Sequence, residues 1–227
     1  MQIDARADTL NNVVYDPDLQ VQSFPVPVTK SLADDDHTQE YMTFTRLDCG
    51  VPPFGDNPSL KGCATDGFGM RRSARSTSRA FGAGANWSRA ETCLHGSAGD
   101  ECYTLVPFRD THWRPGLYLG FASFLNTTAG GTFHVRNELV SSGDFGASWT
   151  RLAPQQAFIP FGSAAKAFDS HGVYASHPVT DPDNADCLRL YYRGSNGPHV
   201  RLRAASSVRC RLLTGAGCRA MGTRPSD

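Results

Sequence analysis

The chain has 227 residues, with Lys+Arg 22 and Asp+Glu 22, so its formal net charge is zero. That balance argues against a partner bound by phosphate neutralisation, so no nucleic acid is expected. No apolar run is long enough for a membrane-crossing helix, and a hydrophobic content of 40% argues against disorder.

The first thirty residues show no charged start, apolar run or small-residue cleavage site, so no signal peptide is expected there. Secretion stays compatible with the acceptor patterns Asn86-Trp87-Ser88 and Asn126-Thr127-Thr128. Seven cysteines follow no zinc spacing. They fit either free thiols or a few disulfides with one cysteine left over. Nowhere does an apolar i, i+3, i+4, i+7 pattern last long enough for a substantial helix. Short β-rich runs take its place, at Asn12–Tyr15, Glu40–Thr45, Gly69–Ser76, Cys102–Phe108, Gly116–Ser123, Thr132–Ser141, Gly172–Ser176 and Cys187–Arg193. Turn residues separate them, including Pro52-Pro53, Gly82–Gly84, Gly130-Gly131 and Pro182–Asn184. Many short strands with such punctuation predict an all-β fold.

An internal repeat narrows the architecture. Ser76 to Arg89 and Val140 to Arg151 both read small-polar, Phe-Gly, turn, Trp, Ser or Thr, Arg. Aromatic strands recur at Tyr41–Phe44, Leu117–Phe121 and Leu188–Tyr192. Asp8, Glu101 and Asp169 each stand just before an apolar run. The unit is therefore carboxylate, strand, aromatic strand, polar strand, Phe-Gly turn and Trp strand. Four antiparallel strands of this kind make a propeller blade, and three such units are visible. Because a blade's first strand lines the central channel, its leading carboxylate is expected at the channel mouth.

These residues resemble the five-bladed β-propeller glycoside hydrolases, the superfamily that includes families 32 and 43. The best-matching stretch runs from Glu101-Cys102-Tyr103 through Gly116–Phe121, Trp149–Leu152, Phe158–Gly162 and Phe168–Ser170 to Tyr191–His199. A weaker match covers Asp8 to Asn12 and Tyr41 to Arg46. The resemblance implies hydrolysis of glycosidic bonds in an oligo- or polysaccharide, with no cofactor and no metal. It casts Glu101 as general acid, Asp8 as the carboxylate that holds the substrate or transition state, and Asp169 as a contact to sugar hydroxyls. Beside them stand His171, a donor to sugar hydroxyls, and Tyr103, Tyr174 and Trp113, whose rings suit the apolar face of a pyranose.

The chain departs from that family in what it lacks. The first blade, with its nucleophile or base, and the fifth blade have no counterpart, which leaves about three of five blades. The expected organisation is thus a partial propeller over residues 1–199 and a basic, unstructured tail over 200–227. A non-catalytic carbohydrate-binding or degenerate propeller is the alternative, and a protein-interaction propeller of another blade type is the third reading. The remaining histidines lie too far apart in sequence to predict a metal centre. Ser170 and Ser176 lack the elbow of a serine hydrolase.

Overall fold

The structure is a computed structural model. It describes residues 12–16, 40–48, 71–79, 85–109, 114–127, 134–164, 167–197 and 202–210, with backbone alone at 40, 185–186 and 202–210. The fold is all-β, and no helix occurs among the described residues. Among the described residues no helix is long and apolar enough to cross a membrane.

Four strands, β1 (Asn12–Asp16), β2 (Glu40–Asp48), β3 (Arg71–Ser78) and β4 (Glu91–His95), form an antiparallel meander in that order. A second meander follows with β5 (Asp100–Phe108), β6 (Tyr118–Asn126), β7 (Val135–Ser142) and the short β8 (Thr150–Arg151). A third unit contains β9 (Gly172–Ala175), β10 (Val179–Asp181), β11 (Asn184–Ser195) and β12 (Leu202–Cys210). Here β9 and β10 pair with successive halves of β11, and β12 pairs along its other edge. The interruption between β9 and β10 contains Pro178, which has no N–H to give a ladder.

All eight strands expected from the sequence are present. The start of the first unit at Asp8 lies outside the described residues, and in the third unit β9 and β10 share one edge of β11 and do not form a four-stranded meander. The sheets also curl into one another. The parallel pairing Val135↔Gly172 joins the second meander to the third unit, giving a single eight-stranded curled sheet. Together the sheets make an incomplete, half-barrel-like β structure. One boundary needs correction. The basic tail expected from residue 200 does not start there, because Leu202–Cys210 forms β12 on β11. Charged and small residues at 201–207 hide the strand from hydropathy, and the free edge of β11 supplies the missing ladder partners. Residues 211–227 lie outside the described residues.

The core explains why β5 reads as a continuous apolar run rather than an alternating one. It lies between the other two units, so both of its faces are buried. On one face Cys102 and Leu105 join Tyr118, Phe124, Val140 and Trp149 against Met42, Phe44 and Leu94 of the first meander. On the other, Val106 and Phe108 join Phe121 and Ile159 against Val173, Leu190 and Tyr192 of the third unit. The edge of β5 is closed by Asn12, whose Nδ2 donates to the Leu105 carbonyl at 2.7 Å.

The Phe-Gly turn of the second unit owes its shape to Asp144. Its carboxylate accepts from Ser142 Oγ at 2.7 Å, from the Ser148 amide at 3.0 Å and from Ser148 Oγ at 2.6 Å. Burial pulls the Asp144 carboxyl upward, but the Ser148 and Ser142 bonds outweigh it and hold the group below its ordinary range. Phe145 and Gly146 take positive φ of 57° and 76°, which tips Trp149 into the core, where its Nε1 donates to the Gly146 carbonyl at 3.1 Å. The Phe81-Gly82 counterpart lies outside the described residues.

Candidate functional site

The start of β5 lies at the junction of the meanders, and a backbone irregularity shapes it. Cys102 pairs with Phe124 and Thr104 with Ser123, so Tyr103 is an extra residue in a β-bulge. Bulges of this kind re-aim side chains. Glu101, two residues earlier, stands opposite Leu125 and is only 4% exposed. Its Oε2 accepts the Arg71 amide at 2.7 Å. That amide is available because β4 ends opposite Arg72, so the first residue of β3 has no ladder partner on that side. Arg46 pairs with Asp48 at 2.9 Å, and Arg71 Nε lies 3.5 Å from the same carboxylate.

The aimed Tyr103 ring meets Tyr174 of β9 edge to face, with centroids 6.2 Å apart. Leu125 and Val135 pack against the pair. The Arg46 guanidinium lies 4.7 Å from the centroid of the Tyr103 ring, within cation–π range. Burial, with Tyr103 close by, pushes the Tyr174 phenol up to about 12. Opposite Tyr174 in the β9–β11 register stands Arg193, which is exposed.

His171 and His134 flank the same end. Their rings sit edge to face at 4.8 Å, and Phe161 lies 5.4 Å from His134 on another side. The backbone fixes both positions. The Val135 amide donates to the His171 carbonyl at 2.9 Å, and the Asn126 amide donates to the His134 carbonyl at 2.9 Å. Ser170 Oγ lies 3.2 Å from His171 Nδ1. Burial, and then the neighbouring His171, lower the pKa of His134.

Asp169 occupies a different environment. It is 2% exposed, and its Oδ2 accepts the Tyr192 hydroxyl at 2.9 Å. Phe168 stacks on Tyr192 at 5.8 Å. Backbone closes over the carboxylate, since a Cβ at Gly162 would fall 2.2 Å from Asp169 Oδ1. Asp169 is therefore enclosed beside the interface of the second and third units rather than presented to solvent.

Of the residues singled out in sequence, the structure brings Tyr103, Tyr174 and His171 to one end of the sheets, with Glu101 at the base. Asp169 is close in sequence to His171 but buried apart from solvent. Asp8 and Trp113 lie outside the described residues. Sequence reasoning missed Arg46 and Arg193, and it treated His134 as isolated. A strand arginine carries no local signal for what it faces. His134 and His171 meet only because β7 and β9 pair. Among the described residues, no three His, Cys, Asp or Glu side chains gather in a way that would hold a metal ion.

Tyr103 and Arg46 are themselves buried, with the Arg46 guanidinium over the Tyr103 ring, so Tyr103 supports Tyr174 instead of offering a stacking face of its own. The groups that reach solvent are half-buried Tyr174, His134 and His171 and exposed Arg193, with the carboxylates Glu101 and Asp169 recessed. Such groups suit a polyhydroxylated ligand through stacking and hydrogen bonds. No family model matches the chain, and no curated protein matches it.

Proposed function

We propose that this chain is a carbohydrate-binding module of propeller-glycosidase type, binding oligo- or polysaccharide at the Tyr103–Tyr174 end of its sheets. The observation that carries this reading is the half-buried Tyr174, held in place by the buried Tyr103. A β-bulge turns Tyr103 onto Tyr174, and His171 and His134 stand beside them. A stacking ring and hydrogen-bonding groups thus share one site.

Glycosidic hydrolysis is the second reading, in which the family resemblance casts Glu101 as the general acid. Two-carboxylate hydrolysis needs a second acid across the sugar. Asp169 supplies none while it is enclosed with Tyr192. Binding without cleavage is therefore the leading expectation.

Calorimetric titration with a panel of neutral and acidic oligosaccharides, read beside release of reducing ends, tests both. Binding that is lost in Tyr174→Ala, without product release, is the expected result. Product release that disappears in Glu101→Gln would establish the hydrolase instead. Absence of binding and of release across the panel would refute the carbohydrate reading.

A further inference from the structure

The tyrosine site has an asymmetric charge distribution, and the asymmetry bears on which sugars it takes. Its acids are withdrawn. Glu101 is buried with the Arg71 amide on one oxygen, and Asp169 is enclosed with the Tyr192 hydroxyl. Asp48 is engaged by Arg46 and Arg71. The groups left toward solvent are of the other kind. Arg193 is exposed and stands directly across the β9–β11 ladder from the half-buried Tyr174. His171 and His134, both half-buried, border the same strand end. No ion pair of Arg193 occurs among the described residues. Directly opposed residues on neighbouring strands point to the same face, so the Tyr174 ring and the Arg193 guanidinium share one surface. An aromatic face beside a planar cationic fork recognises a ring that carries a carboxylate, because guanidinium and carboxylate match two hydrogen bonds at once.

We infer that the saccharide bound at this site is acidic, a uronate-containing oligosaccharide whose ring stacks at Tyr174 and whose carboxylate is held by Arg193. Specificity here rests on the charge arrangement, since among the described residues the acids named above are buried or, as Asp48, held by arginines. The inference rests on the carbohydrate reading above and narrows it to one chemical class.

The test is calorimetric titration of the full chain with oligogalacturonate and with the same oligosaccharide fully methyl-esterified, which keeps the ring and removes the charge. The acid form is expected to bind at least about tenfold more tightly, the step a single charged hydrogen-bond pair readily supplies. Arg193→Gln should abolish that preference, and Arg193→Lys should restore part of it. Arg114→Gln, an exposed arginine at the turn before β6, should leave it unchanged. Equal binding of acid and ester, or a preference that survives Arg193→Gln, would overturn the inference. Binding confined to neutral oligosaccharides would overturn it too, while leaving the carbohydrate reading in place. If no saccharide of either kind binds, both readings fall together.

Discussion

Asp16, the last residue of β1, makes the most informative stability test because it joins the first meander to the second. Its side chain is fully buried. One oxygen accepts from Arg109 beyond the end of β5, and the other accepts the Tyr118 hydroxyl at the start of β6. Arg109 itself is 14% exposed, so this is a nearly dry ion pair. Removing one member of such a pair strands the other, at a cost of about 3–5 kcal/mol. Against a typical domain stability of about 5–15 kcal/mol, Asp16→Ala should remove a large part of the folding free energy. Asp16→Asn keeps the volume but not the charge and should lose a comparable amount. Tyr118→Phe removes one hydrogen bond to that carboxylate and should cost about 1.5–3 kcal/mol. Urea denaturation followed by tryptophan fluorescence reads the series, with Trp149 buried in the adjoining core. The double variant Asp16→Ala with Tyr118→Phe should cost less than the sum of the singles, because the two groups share one contact. An Asp16→Asn protein within 1 kcal/mol of wild type would refute the argument that this pair locks the meanders together.

Three further outcomes follow from the same geometry. Gly146 has φ of 76°, and a Cβ there would lie 2.7 Å from Phe44 Cζ, so Gly146→Ala should destabilise by about 2–4 kcal/mol through combined strain and overpacking; a neutral substitution would show that the turn relaxes freely. Burial pushes the Cys93 thiol up and the Cys102 thiol up to about 12, so the folded state favours the protonated thiols. Their stabilising contribution is complete below the ordinary thiol value of about 8.5 and is lost as pH rises toward the folded values; Tm should fall through this alkaline window, and a Cys93→Ala, Cys102→Ala protein should fall less steeply than wild type. His134 is depressed by burial and then by His171, so its contribution is present above the ordinary imidazole value of about 6.5 and is lost as pH drops; thermal melts from pH 7 to 5 should show a shallower decline in His134→Gln, and an unchanged slope would remove His134 from the account.

Much of the fold was legible because β-structure writes itself locally. Asn12–Tyr15 and Tyr41–Phe44 combine β-branched and aromatic residues between turn residues, Leu117–Phe121 is rich in aromatic and leucine side chains, and apart from Leu117 all of them fall on observed strands. The Phe145-Gly146 turn and Trp149 carry a sequence pattern shared with Phe81 and Trp87, but Trp87 is only half-buried and lies before β4, and Phe81 is outside the described residues. The strands left out had weak local signals. In β4, Glu91–His95 is short and polar at its ends, and β12 is rich in arginine and serine. The site was legible only in part. Tyr103, Tyr174 and His171 could be chosen as aromatic and imidazole groups near predicted strand starts. Nothing local told that Asp169 would be enclosed under Gly162 and Gly194, since the residues that cover it are glycines whose role is the absence of a side chain.

By itself, then, the sequence determined the all-β class and most strand positions, because alternation, turn chemistry and aromatic content act over a few residues at a time. Only the tertiary structure decided which groups meet. The bulge at Tyr103 re-aims its ring, the Val135↔Gly172 pairing brings His134 to His171, and the β9–β11 register sets Arg193 across from Tyr174. Each of those depends on the alignment of strands distant in the chain, and a shift of one residue would turn every one of these side chains to the opposite face.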